Sequence, residues 1–272
     1  MTDQQAKAAL FHSLHVAGEP LVLANAWDAA SAAVVAAAGA PAIATTSAGV
    51  AWSLGAPDGD ALGRDEAIAL VARVCAAVDV PVTADIESGF GSDAQEVAET
   101  VRAVIAAGAV GVNIEDALRG EANPLRDIAE QSARLAAARA AADAAGVRLF
   151  INARVDTYLA GAGGVEETVA RAHAYLAAGA DGVFVPGVVD PETIAALVAA
   201  IPAPLNILVG PGAPAVAELA GLGVARASLG SSIAQAAYAL VQRAAEEAYG
   251  KGTYEAVSEA ADYGLLNGLM RR

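Results

Sequence analysis

The sequence predicts a single (β/α)8, TIM-type barrel spanning residues 1–272, and three observations predict it. Eight short runs rich in apolar and β-branched residues recur along the chain. Longer, Ala-rich stretches of helical character separate them. Several of those stretches end in a Gly-Ala or Gly-Val step just before the next run, as in "AAAGAP", "AAGAVGV", "AAGVRL" and "AAGADGV". Glycine stops a helix by taking the left-handed conformation, so a Gly step leading straight into a strand is the connection of a β/α unit. Eight such units in about 250 residues fit a barrel. The same alternation also allows an open, doubly wound sheet.

Taken in order, residues 1–18 read as an amphipathic helix ahead of the first strand. Strands are expected within 21–28 ("LVLANAWD"), 42–48 ("AIATTSA"), 82–88 ("VTADIES"), 111–117 ("GVNIEDA"), 149–156 ("LFINARVD"), 182–188 ("GVFVPGV"), 205–211 ("LNILVGP") and 226–232 ("RASLGSS"). Helices are expected near 29–38, 64–77, 93–107, 125–145, 165–178, 190–200, 213–221 and 233–249. Asp93 before "AQEVAET" and the Asp190-Pro191-Glu192 triplet mark helix starts. Residues 233–272 form a C-terminal helical segment beyond the eighth unit. It carries apolar positions such as Leu265, Leu266 and Leu269 that a closed barrel does not need, which predicts a homo-oligomer. No linker or low-complexity tract divides the chain.

Composition excludes several functions. Acidic residues number 31 against 16 basic ones, a formal charge of −15. Such a chain repels nucleic acid and anionic lipid. Its hydrophobic fraction of 56% is largely alanine, and no apolar run reaches the roughly 18 residues a spanning helix needs. The first 20 residues lack the apolar stretch of a signal peptide, so a cytoplasmic location is expected. Cys75 is the only cysteine, which rules out an intrachain disulfide and a cysteine metal cluster; in "ALVARVCAAV" it reads as a core position. The only lysines, Lys7 and Lys251, lie in the terminal segments, which disfavours a Schiff-base mechanism in a barrel mouth. His12, His15 and His173 all fall on expected helices, leaving no histidine for a Ser-His-Asp triad.

Barrel chemistry sits at the C-terminal ends of strands. There the third strand offers Asp85 and Glu87, the fourth Asn113, Glu115 and Asp116, and the fifth Asn152, Arg154 and Asp156; Asp58 lies in the loop after the second. Strand alternation turns Asp85 with Glu87, Asn113 with Glu115, and Asn152 with Arg154 to common faces. Each acid alone could cap a helix or join a structural ion pair. Several on adjacent strands need a cation or protons, because an uncompensated buried carboxylate is costly. With neither Cys nor His at hand, an all-oxygen site suits Mg2+ or Mn2+. The "ATTSAG" segment (44–49) adds small residues and hydroxyls able to receive a substrate carboxylate. "GPG" (210–212) and "LGSS" (229–232) end the two strands where barrels often bind phosphate.

Four stretches, "TTSAGVAWSLGAPD" (45–58), "ADIESGFG" (84–91), "VNIEDA" (112–117) and "INARVD" (151–156), together resemble the isocitrate lyase / phosphoenolpyruvate mutase superfamily in order and spacing. The resemblance runs from about residue 20 to 240. It implies an α/β barrel, a Mg2+ site, 2-oxo or 2-hydroxy acid substrates, an enolpyruvate-type intermediate, and a homodimer or homotetramer. By position, Asp85 resembles the direct metal ligand, and Glu87 and Glu115 the acids that hold the metal's waters. Asp58 resembles the acid beside the metal. Thr46, Ser47 and Ala48 match the segment that grips the substrate carboxylate, Arg154 the arginine on the reacting oxygens, and Asn206 a strand-seven asparagine of the lyases. The loop "LRGEANPLRD" (118–127) departs from the lyases' cysteine-bearing loop, although its Asn123 is able to stand for an asparagine of the mutases. Gly187 stands where the lyases carry a glutamate. The expected function is a Mg2+-dependent carbon–carbon lyase or decarboxylase acting on a small 2-oxo or 2-hydroxy carboxylate. Phosphonopyruvate mutase or hydrolase chemistry and non-catalytic carboxylate binding are the alternatives.

Overall fold

The computed structural model describes residues 2–118, 120 and 124–271. Eight strands form one parallel sheet: β1 Leu21–Leu23, β2 Ile43–Ala44, β3 Val82–Asp85, β4 Gly111–Glu115, β5 Phe150–Arg154, β6 Gly182–Val185, β7 Leu205–Leu208 and β8 Arg226–Ser228. The strand order is β1-β8-β7-β6-β5-β4-β3-β2. Between the two ends of that list a parallel bridge joins Ala26 to Thr45, beyond the tip of β1, and nearly closes the barrel. The amide of Ala26 donates to the Ala44 carbonyl at 2.8 Å, and that of Thr46 to the Ala26 carbonyl at 3.0 Å.

The helices are α1 Asp3–Ser13, α2 Ala29–Ala37, α3 Ser47–Ser53, α4 Arg64–Ala77, α5 Ala94–Ala106, α6 Ile128–Ala144, α7 Val165–Ala177, α8 Pro191–Ala200, α9 Val216–Gly221, α10 Ser232–Gly250 and α11 Tyr263–Leu269. The helix starts read from the sequence carry real caps. The Asp93 carboxylate accepts from the amides of Gln95 and Glu96, and that of Asp190 from Thr193, with Pro191 in the first turn. Strand interiors are buried along nearly their whole length, as expected where a parallel sheet has helices outside and a packed interior.

The N-terminal helix plugs the lower end of the barrel. Phe11 is fully buried and meets the Phe150 ring edge-on at 5.6 Å, while His15 stacks on Phe150 at 3.9 Å.

Two expectations need correction. The second strand is two residues long, not seven, because the chain turns into α3 at Ser47. The tail is not one continuous helix: α10 ends at Gly250, a short 3-10 turn follows at Glu255–Val257, and α11 packs back against α2.

Candidate active site

The stretch "ADIESGFG" builds one wall of the site. Asp85 ends β3, and its amide donates to Thr45 Oγ1 at 2.9 Å. The chain then leaves strand geometry: Glu87 and Phe90 take φ of 51° and 49°, a region sparsely populated by residues with a side chain. Arg134 of α6, itself buried, holds this turn by donating to the carbonyls of Ser88 and Gly91, both at 2.8 Å. Gly91 is required because a Cβ there would lie 2.5 Å from Glu96 Cβ.

The left-handed turn overrides the expected alternation. Glu87 does not stand beside Asp85 on a common strand face. Its Oε2 accepts from the Gly59 amide at 2.9 Å and from the Asp60 amide at closer range. The Ser88 amide in turn donates to Asp60 Oδ1 at 3.4 Å. Glu87 thus fastens the loop carrying Asp58 against the end of β3. Asp60 was not legible as part of this site, because its role depends on backbone amides meeting a distant carboxylate.

Arg154 is the site's best-defined side chain. Register pairs it with Glu115 on β4, whose Oε2 lies 2.6 Å from Arg154 Nη1. Asp156 accepts from Nε at 2.6 Å and from Nη2 at 2.8 Å. Of the five N–H donors of a guanidinium, Asp156 takes one on Nε and one on Nη2, and Glu115 adds an ion pair at Nη1. Burial alone would depress the Arg154 pKa, but the Glu115 and Asp156 carboxylates outweigh it and hold the group firmly charged. The Phe184 ring lies 5.9 Å from its Cζ.

Arg154, Asp85 and Asp58 line one cavity of about 260 Å³ at the C-terminal end of the barrel. Thr46, Ser47, Ala48 and Asn113 share that wall, and Ser228 and Gly230–Ser232 face it. Leu159, Phe184, Pro186 and Leu208 form an apolar side. Asn206 does not reach the cavity wall: it lies beneath Ser228, whose hydroxyl donates to Asn206 Oδ1 at 3.1 Å. Asn25 links the mouth of the barrel, donating to the Thr45 carbonyl and accepting from the Gly230 amide, both at 2.9 Å. Gly187 has φ +89°, so a glutamate there would force its backbone into a strained region. Asn123 lies outside the described residues.

Burial and neighbouring carboxylates raise the pKa of Asp85 and Glu87. Desolvation pushes Asp85 upward, aided by Asp58 and opposed by Arg154 and by amides of Glu87 and Ser47. Glu87 rises to about 7, first through burial and then through Asp60, Asp58 and Asp85. Below them Arg226 is buried in the barrel interior, with Nε donating to Ser228 Oγ at 3.1 Å and no hydrogen bond to either terminal nitrogen among the described residues. Burial brings its pKa down to about 9, and Asp85 is the charge that opposes the fall.

Among the described residues no three His, Cys, Asp or Glu side chains gather as a ready-made metal cage. Glu87 is committed to loop amides and Glu115 to Arg154. Asp85 is the acid of the expected metal set that lines the cavity. The donor set is nonetheless all oxygen and acid-rich, and the raised carboxylates are groups that a hard cation would relieve. The residues therefore fit a hard divalent cation such as Mg2+, with Asp85 as the acid that faces the cavity.

Comparison with known proteins decides the family. Residues 11–249 match the family described as phosphoenolpyruvate phosphomutase. This chain belongs to that family. It lies within the superfamily shared with the isocitrate lyases, whose relatives it also matches. An uncharacterised protein of Mycobacterium tuberculosis is 43% identical over 222 residues, 81% of each chain. Oxaloacetate decarboxylase 2 of Pseudomonas fluorescens is 32% identical over 179 residues, 63% of this chain and 59% of its own. Among solved structures, a protein of Burkholderia cenocepacia J2315 superimposes with a TM-score of 0.92 at 40% identity, covering 99% of this chain and 97% of its own. A phosphonopyruvate hydrolase complexed with oxalate and Mg2+ superimposes at 0.84 and 28% identity, covering 99% and 95%. Relatives thus include an oxaloacetate decarboxylase and a phosphonopyruvate hydrolase, and membership of a superfamily of lyases and mutases supports an enzyme. No described helix is long and apolar enough to cross a membrane.

Proposed function

We propose that this protein is a Mg2+-dependent carbon–carbon lyase or decarboxylase that acts on a small 2-oxo or 2-hydroxy carboxylate through a pyruvate enolate. The observation that carries the reading is Arg154, clamped through two N–H groups by Asp156 and ion-paired to Glu115, beside Asp85 in a small cavity with one apolar side. A Mg2+ ion held by Asp85 would act as a Lewis acid toward the substrate's carboxylate and neighbouring oxygen. The fixed guanidinium offers N–H groups not taken by Asp156 to the oxygen on C2 as negative charge develops there. A donor already held in place needs no reorganisation when the charge appears, which is the source of its effect.

With an oxaloacetate-like acid, the C3–C4 bond breaks and its electron pair becomes the C2–C3 double bond of the enolate. Neutral CO2 departs, and C3 later takes a proton from solvent. Leu159, Phe184, Pro186 and Leu208 suit a leaving group that loses its charge on departure. The oxaloacetate decarboxylase of Pseudomonas fluorescens and the Mg2+ and oxalate complex of the phosphonopyruvate hydrolase support the substrate class and the metal by analogy.

The test is pyruvate release from oxaloacetate by the purified protein with Mg2+, above that of the metal alone. Arg154→Lys should reduce the rate at least a hundredfold, about 2.7 kcal/mol of barrier, and Asp85→Ala should abolish it. Turnover of phosphonopyruvate without pyruvate release from oxaloacetate would reassign the protein to P–C chemistry. An oxalate-induced thermal shift without turnover of either acid would make it a binding protein.

A further inference from the structure

Behind Arg154, outside the cavity, lies a buried polar network that the proposed reaction does not use. Asp116 follows Glu115 and is fully buried. Its Oδ1 accepts from the Asp156 amide at 2.9 Å. Its Oδ2 accepts from the Tyr175 hydroxyl at 2.8 Å and from Arg171 Nη1 at 3.1 Å. Tyr175 and Arg171 are also buried, one turn apart on α7. Arg171 Nη1 additionally donates to the Arg126 carbonyl at 2.8 Å, and the Arg126 amide donates to the Asp116 carbonyl at 2.8 Å. Glu167 holds the other side of the guanidinium, accepting from Nε at 2.7 Å.

Asp116 thus has three donors on two carboxylate oxygens and a counter-charge at contact distance. Its strongest consequence is for Asp156, because its Oδ1 fixes the Asp156 backbone. The Asp156 carboxylate, in turn, makes two of the three contacts that orient Arg154. We propose that Arg171 and Tyr175 are positioning residues, which act through Asp116 and Asp156 to set the direction of the Arg154 guanidinium. The chain of contacts runs from an outer helix to the cavity wall, and no member of it except Arg154 lines the cavity. Networks of this kind matter because an oriented donor is worth more at the moment charge develops than one free to rotate. The Arg126 contacts extend the same anchor to the chain where it returns towards α6 after β4.

This inference rests on the proposed function, in which Arg154 meets the substrate's oxygens. Its test therefore uses a binding probe as well as turnover. Oxalate, a planar mimic of the pyruvate enolate, is titrated calorimetrically with Mg2+ present into wild type, Tyr175→Phe and Arg171→Lys. Mg2+ is titrated alone into the same proteins. Ile194→Val, a loss of one buried methylene on α8, serves as a control for simple destabilisation. Tyr175→Phe should weaken oxalate binding three- to tenfold and lower kcat by a similar factor, with Mg2+ affinity and KM within twofold. Arg171→Lys keeps the charge but loses the fork, and should weaken oxalate binding at least as much. Ile194→Val should lower the melting temperature without either effect. If wild type binds no oxalate, the proposed function fails. If wild type binds oxalate and Tyr175→Phe and Arg171→Lys change only the melting temperature, the network is structural and the positioning role is overturned.

Discussion

Asp156→Asn probes the site through a single oxygen-to-nitrogen change. In wild type the carboxylate receives two N–H groups from one guanidinium, at 2.6 and 2.8 Å, with Asp156 only 3% exposed. An asparagine keeps one acceptor and turns an NH2 group toward a donor. One charge-assisted contact is lost, and a donor faces a donor. A hydrogen bond to a charged group contributes about 1.5–3 kcal/mol when buried. Glu115 still holds Nη1, so Arg154 keeps a counter-charge and the fold should survive. Because Glu115 remains to keep Arg154 charged, the loss is chiefly one of direction, and its cost should fall mainly on the transition state. We expect kcat for pyruvate formation to fall between tenfold and a hundredfold, about 1.4–2.7 kcal/mol of barrier. The assay is pyruvate release under saturating Mg2+, with circular dichroism to confirm folding and oxalate calorimetry to read the bound pose. A rate within threefold of wild type, with the fold intact, would refute the view that the Asp156 clamp orients Arg154.

Three further outcomes are expected. His15 is driven to a pKa of about 3, chiefly by burial and then by the Arg226 charge, with the Phe11 carbonyl and His12 as smaller influences. The unfolded chain binds a proton below about 6.5 and the folded one does not, so stability present above pH 6.5 falls by up to about 1.4 kcal/mol per pH unit as pH drops. His15→Phe keeps the ring packing against Phe150 and should flatten that slope between pH 6.5 and 4.5 in urea titrations; parallel curves would contradict it. Gly91→Ala puts a methyl 2.5 Å from Glu96 Cβ and 3.1 Å from its backbone, and should cost about 1–3 kcal/mol, read as a drop in melting temperature. The C-terminal helices should bury their apolar side chains in a homodimer or homotetramer, since α10 buries only Ala234 and Tyr249 and Tyr263 are 91% and 83% exposed; a single-chain mass by light scattering at micromolar concentration would argue against it.

The barrel was legible because most strands are buried along their length and read as mainly apolar runs between glycine-marked turns. All eight strands fall inside the runs expected for them. The runs overshot at their C-terminal ends, where "ANAWD" and "TTSA" continue the pattern of strand residues but serve as loop and helix start. Helix α3 escaped notice for a physical reason. Thr46 makes no side-chain cap hydrogen bond, and "SAGVAWS" has neither a charged first turn nor an apolar stripe against a polar face. Its residues are almost all buried, so no amphipathic period exists to be read.

The site divides along the same line. At the strand ends the sequence pattern named the members, Glu115, Arg154 and Asp156, but assigned Glu115 to the metal and gave Asp156 no role. Their pairing follows from the register of β4 against β5 and from the bend after Arg154, which alternation along a single strand does not set. Glu87 could not follow, because a residue at positive φ abandons the period of two on which the reading depends. The network behind Arg154 lies further still from sequence reasoning. Arg171 and Tyr175 show a four-residue spacing that places them on one helix face, yet their partner Asp116 is 55 and 59 positions away. Buried polar groups must find partners, so a buried face bearing Arg and Tyr announces that some acceptor exists. Which acceptor it is depends on how α7 packs against the ends of β4 and β5, and that is decided by the shape of the whole barrel. Such a contact leaves no local trace in the sequence, which is why the buried partners behind Arg154 are harder to read than Arg154 itself.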